Sequence, residues 1–151
     1  MKSISLDAAA IIGGRSKRTW WRRIAEGSVA RLENDSRGRT MLSFEDVLPL
    51  VCIPFEGDDL DLILKADSGN AEAQNDIGQI FSSAGKYDIA LYWLRMAADQ
   101  GHPDAMQSLG NFYISGKGVK RDENLGIMWL AKSASCGHQI AQAQMKCLNP
   151  F

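Results

Sequence analysis

The chain has 151 residues, 45% of them apolar and 23% charged, an ordinary soluble composition. Its formal net charge of -1 argues against a polyanion partner, but residues 1–50 hold nine Lys/Arg against six Asp/Glu and residues 51–151 hold eight against twelve. A basic front half and an acidic rear half therefore point to two units with different partners. Cys52, Cys136 and Cys147 are an odd set without framework spacing, which fits reduced thiols and a cytoplasmic location. No apolar run reaches the roughly 18 residues that a membrane span needs. The stretch MKSISLDAAAIIGG is too short and too interrupted for a signal peptide.

Ser5 is a good N-cap for a first helix with Leu6, Ala9, Ala10 and Ile12 on one face, and Gly13-Gly14 must end it. Ser16 then caps a basic helix, KRTWWRRIAE, with Gly27 at its C-terminal cap. Trp20 and Ile24 stack on its inner side, which leaves Lys17, Arg18 and Arg22 outward with Arg23 near the boundary. SVARLE and RTMLS flank the turn-rich NDSRG and are expected to form a β-hairpin. Ser43 with Asp46 forms a capping-box variant for a third helix, which Pro49 should end or kink. Pro49, Pro54 and FEGDD mark a boundary near residues 53–58. DDLDLILKADSG is expected to be a helix that caps the N-terminal end of the rear unit.

The order helix, tight turn, basic helix, hairpin, helix resembles the excisionase-like and MerR-type winged helix-turn-helix domains over residues 3–52. The residues that carry the resemblance are LDAAAIIGGRSKRTWWRRIAEG, RGRTML and SFEDVLPL. It implies that Lys17, Arg18, Thr19, Arg22 and Arg23 face duplex DNA, with Arg37 and Arg39 as wing contacts. The local balance agrees: from Arg15 to Arg39 there are eight basic and three acidic residues. Such a surface neutralises phosphates, and arginine can pair with guanine in the major groove.

The rear half repeats. GNAEAQNDIG from Gly69, GHPDAMQSLG from Gly101 and GHQIAQAQM from Gly137 align at intervals of 32 and 36 residues, and Trp93 and Trp129 stand 36 apart. A period in the thirties signals stacked helix pairs. Ala73, Ile77, Phe81 and Ala105, Leu109, Tyr113 form the apolar stripe of each first helix. Gly78 and Gly110 sit where that helix presses a neighbour, since glycine otherwise costs about 1 kcal/mol against alanine. The second copy, SGKGVKRDENLGIMWLAKSA between its flanking glycines, resembles the Sel-one-like repeat, a relative of the tetratricopeptide repeat. The resemblance covers residues 67–147. It implies an α-solenoid for protein binding without catalytic residues of its own, with a groove lined by Glu72, Asn75, Asp76, Gln79, Asp104, Gln107, Ser108 and Asn111.

His102 and His138 recur at one repeat position, which favours a turn or capping role over a metal site. GKGVKR lacks phosphate-loop spacing, and no motif implies a cofactor or an enzyme. The expected architecture is mainly α. A winged helix-turn-helix domain of three helices and a hairpin spans 1–54, and a short α-solenoid with an N-terminal cap helix spans 58–151. The expected function is a small DNA-binding regulator whose repeats bind a protein or peptide, or a second copy of the chain. The alternative is a protein–protein adaptor whose front domain does not bind DNA.

Overall fold

A computed structural model describes residues 2–148 of the chain. Residues 1 and 149–151, included in the expected domain ranges, lie outside them. The chain divides into two compact units, residues 1–67 and 68–151.

The first unit runs β1 (Ser3–Ser5), α1 (Leu6–Ile12), α2 (Lys17–Ala25), β2 (Arg31–Leu32), β3 (Met41–Ser43), α3 (Phe44–Val47) and α4 (Asp58–Asp67). Serine caps both of the first two helices: the N–H of Ala8 donates to Ser5 Oγ at 3.1 Å and that of Thr19 to Ser16 Oγ at 3.4 Å. Gly14, at φ 63°, turns the chain between them. Gly13 has a separate role. A Cβ there would lie 2.6 Å from the Trp20 ring, so the missing side chain lets α2 close onto α1. Ile4, Ile12, Trp20, Leu42, Phe44 and Val47 are at most 1% exposed and form the core. Each such large side chain contributes about 1.5–3 kcal/mol through burial.

Two features differ from the sequence expectation. A short strand, β1, precedes α1 and pairs antiparallel with β3, Ile4 opposite Leu42, so β3 is central in the order β1-β3-β2. Three residues are too few for an alternating pattern to show. Second, Ser43 makes no side-chain cap. Asp46 instead accepts from the N–H of Ala30 at 2.9 Å and ties the hairpin to α3. The third helix ends before Pro49 as expected: α3 passes into a 3-10 turn, Leu48–Leu50, where the ring cannot donate a helical hydrogen bond.

The helix over residues 58–67 forms as expected, and it groups with the first unit. Its last residue explains this. Asp67, 5% exposed, accepts from Ser5 N at 2.7 Å and Ser5 Oγ at 2.6 Å, and its Oδ1 lies 3.0 Å from Arg39. A carboxylate taken out of water needs this many partners, and all of them lie in the first unit.

The second unit comprises α5 (Ala71–Ser83), α6 (Tyr87–Asp99), α7 (Pro103–Ser115), α8 (Glu123–Ser135) and α9 (Gln139–Leu148). The first helices, α5, α7 and α9, start alike. Asn70 caps α5, accepting from Ala73 N at 2.8 Å, and the Nδ1 atoms of His102 and His138 do the same for Ala105 at 3.4 Å and Ala141 at 3.1 Å. Gly101 and Gly137, at φ 87° and 90°, let the chain leave α6 and α8 in a left-handed turn. Ala73, Ile77, Phe81, Ala105, Leu109 and Tyr113 are all buried, as their spacing requires.

The expected close approaches are present. A Cβ on Gly78 would meet Leu94 Cγ at 2.7 Å, and one on Gly110 would meet the carbonyl of Gly126 at 2.9 Å. Trp93 is fully buried in α6. Trp129, its counterpart in α8, is half-buried with Lys132 Nζ 4.9 Å from its ring.

Candidate functional site

Two surfaces carry the residues singled out from the sequence, one in each unit. On the first, Lys17, Arg18 and Arg22 are exposed on α2, as is Arg15 just before it. Lys17 pairs with Asp7, and Arg22 lies 3.9 Å from Glu26. Exposed pairs of this kind contribute at most about 1 kcal/mol and open readily. Trp21 is 41% exposed, with the Arg31 guanidinium 5.3 Å from its ring. Thr19 is half-buried, and its hydroxyl lies 3.3 Å from Ser16 Oγ.

Three of the expected DNA-facing arginines are placed otherwise. Arg23 turns inward: its guanidinium lies 4.8 Å over Trp20, and one of its terminal nitrogens is buried. Arg37 is exposed but donates to the Asp67 carbonyl at 3.3 Å. Arg39 is a structural group. It bonds Asp35 at 2.7 Å and Asp67 at 3.0 Å, with 25% of its side chain exposed.

The backbone N–H of Arg39 is the main cause that holds the Asp35 carboxyl below its ordinary value of 3.8. Desolvation opposes this, and the Arg39 guanidinium and the Arg37 N–H add to it. Burial works against the Arg39 charge, but Asp35 and Asp67 outweigh it and hold the guanidinium above its ordinary range. A lowered Asp35 stabilises the fold above the ordinary aspartate value. That contribution is lost as pH falls through the lowered one. The protection of β3 amides, taken against the intrinsic exchange rate at each pH, should therefore fall on acidification through this window, as mass spectrometry reads it. Asp35→Asn should remove that part of the fall while leaving the repeats unchanged.

The second surface is the side of the first helices. Glu72, Asp76, Gln79 and Asp104 are exposed there. Asn75 is not: it is 6% exposed, and Gln79 Nε2 donates to its Oδ1 at 3.4 Å. Gln107, Ser108 and Asn111 are half-buried. Several amides expected to await a ligand instead join neighbouring helices. Gln79 Nε2 donates to Ser108 Oγ at 2.9 Å, linking α5 to α7. Gln107 Nε2 donates to Gln144 Oε1 at 2.9 Å, and Gln144 Nε2 to Asn111 Oδ1 at 2.8 Å, linking α7 to α9.

His138 adds a further tie. Its Nδ1 accepts from the backbone, so its Nε2–H is free to donate to Asp104, 2.8 Å away. Sequence reasoning missed Gln144, although the shared spacing of the three copies marks it as the equivalent of Asp76 and Ser108.

Beyond this ladder, at the α9 end, lies an open cavity of about 360 Å³ between α7 and α9, with Leu130 of α8 among its lining residues. Among the described residues no group of three or more His, Cys, Asp or Glu could hold a metal ion, and no helix is long and apolar enough to cross a membrane.

The Sel1 repeat family model matches residues 71–102 and 103–138. The chain is similar to a Sel1 repeat protein from Oxalobacter formigenes at 38% identity, with a TM-score of 0.52, over 56% of this chain and 67% of that one. It is also similar to c5321, a protective antigen present in uropathogenic Escherichia coli strains displaying an SLR fold. That likeness has 30% identity and a TM-score of 0.53, over 68% of this chain and 20% of that one. DAP3-binding cell death enhancer 1 of Rattus norvegicus is 33% identical over 87 residues, 55% of this chain and 17% of the rat protein. The chain thus spans a fifth or less of the last two.

Proposed function

The chain belongs to the Sel1 repeat family, and on that premise we propose that it is a non-enzymatic interaction protein whose repeat unit binds a protein partner along the side of α5, α7 and α9. Sel1 repeats are typical of protein–protein interaction. The observation that carries the reading is the ladder of side-chain bonds that fixes these three helices side by side. Held in this way, Glu72, Asp76 and Asp104 form a pre-set acidic row, so little ordering is left for binding.

A photo-reactive residue placed at position 76 of the full chain should crosslink the partner. The same residue at Lys132, on the exposed side of the second helix α8, should not. Crosslinking from position 132 alone would overturn the reading.

The exposed basic side of α2 favours a second interaction by the front unit. Arg15, Lys17, Arg18 and Arg22 beside the exposed Trp21 suit an acidic or phosphate-bearing partner. The order of helix, turn, helix, hairpin and helix supports a winged-helix-like module. Duplex DNA is the more specific form of this reading, and the inward or internally bonded positions of Arg23 and Arg39 weaken it. A DNA contact would show affinity falling steeply with salt. Affinity for duplex DNA that is absent even at low salt leaves α2 as a protein-facing surface and the chain as an adaptor.

A further inference from the structure

The side of the first helices changes chemistry along its length. At the three repeat positions that face along the array, α5 has Glu72, Asn75 and Gln79, and α7 has Asp104, Gln107 and Asn111. In α9 the same positions hold Ile140, Ala143 and Cys147. Ile114 likewise stands where the first copy has Ser82. These replacements converge on one place. Ile114, Leu130, Ile140, Ala143, Cys147 and Leu148 line the 360 Å³ cavity between α7 and α9, with Asn111 and Gln144 at its polar rim.

Ile140 is 61% exposed and Leu148 45%, so the apolar lining faces outward. Asn111 accepts from Gln144, while its own amide nitrogen donates to nothing among the described residues. At the other end of the face, Glu72 and Asp76 are exposed and lack an ion-pair partner among the described residues.

From this gradient we infer that the occupant is an extended segment of a partner protein, with one bulky aliphatic or aromatic residue for the cavity and Lys or Arg for Glu72 and Asp76. The inference rests on the proposed protein-binding face and adds the chemistry of what it takes. Charge complementarity selects the basic end, because two unpaired carboxylates on one turn of α5 repel an acidic chain and attract a basic one. The uncharged cavity selects the other end, since a charged side chain there would lose hydration without gaining a partner. Asn111 is placed to donate to a backbone carbonyl at the rim, as an extended chain offers.

The helices set the span. α5 to α7 and α7 to α9 are each joined by direct side-chain bonds, so each step is about 10 Å. An extended chain advances about 3.3 Å per residue. The basic and apolar residues should therefore lie about six positions apart.

The test is selection from a phage library of random twelve-residue peptides against the full chain, and then fluorescence polarisation of labelled winners. The expected winners carry a bulky apolar residue about six positions from a Lys or Arg. Ile140→Glu, at an exposed site, should weaken them about tenfold or more, and Ile140→Ser severalfold. Glu72→Lys with Asp76→Lys should weaken them about three- to tenfold and reverse their salt dependence, since added salt then screens a repulsion.

Winners that lose affinity with the double lysine variant but ignore Ile140→Glu would overturn the cavity assignment and leave the face reading intact. Winners indifferent to all these variants would overturn both. No winners, together with self-association that Ile140→Glu abolishes in sedimentation, would put a second copy in the cavity and overturn the inference.

Discussion

Gly126→Ala should destabilise the repeat unit by about 2 kcal/mol, although alanine is the better helix former. A Cβ at Gly126 would stand 2.7 Å from the carbonyl oxygen of Gly110 and 2.5 Å from Ile114 Cγ1. The first of these is backbone, which no rotamer change can move, so α7 and α8 must separate. Overpacking of this kind costs about 1–3 kcal/mol and occasionally more, while removing a helical glycine returns about 1 kcal/mol. The clash wins.

Gly78→Ala provides the contrast. Its close contacts are Leu94 Cγ at 2.7 Å and Cδ2 at 2.8 Å, with the Ala90 carbonyl at 3.4 Å. A side chain can give way where a carbonyl cannot, so the loss there should be about 1 kcal/mol or less. Urea unfolding monitored by circular dichroism should rank the two variants in that order. Equal stability of Gly126→Ala and the parent would mean that α7 and α8 do not touch along this line.

Asp67→Ala should cost the first unit about 3 kcal/mol. Its carboxylate accepts two bonds from Ser5 and pairs with Arg39. Removing it strands the buried N–H of Ser5, at about 1–3 kcal/mol, and takes one of two partners from Arg39. Breaking a fully buried pair costs about 3–5 kcal/mol, and the partial exposure of Arg39 together with its remaining bond to Asp35 places the value toward the lower end. The exposed pair of Lys2 and Asp61, 3.2 Å apart, serves as the control: Asp61→Ala should change stability by about 0.5 kcal/mol or less. Amide exchange separates the units, since β1, β3 and α4 should open while α5–α8 keep their protection. Loosening of the repeats by Asp67→Ala would return α4 to the array.

That last outcome bears on what a sequence can say about its own folding. The repeats were legible because their signal is internal. Gly101 and Gly137 close second helices in the same conformation, and Asn70, His102 and His138 cap first helices through equivalent atoms. The membership of α4 was not legible. It is decided by a bond between Asp67 and Ser5, 62 positions apart, and nothing local to DDLDLILKAD encodes it.

The same limit explains the two misplaced sets of site residues. Counting around an isolated helix puts Asn75 outward, but in the folded array it is buried. The winged-helix resemblance puts Arg39 on an outer wing, yet Asp35 and Asp67 hold it. Side-chain direction is set by a residue's own helix, whereas exposure depends on its neighbours. The cavity between α7 and α9 belongs to this second kind. Its residues come from three helices and show no pattern until the third copy is compared with the first two.

The side of α5, α7 and α9 is the surface on which this protein is expected to act. Hydrogen-exchange mass spectrometry on the full chain, with and without a crosslinked or selected partner, tests that most directly. Slower exchange in α5, α7 and α9, with α2 and the hairpin unchanged, is the expected result. Protection confined to α2 and the hairpin would contradict it and move recognition to the basic front unit.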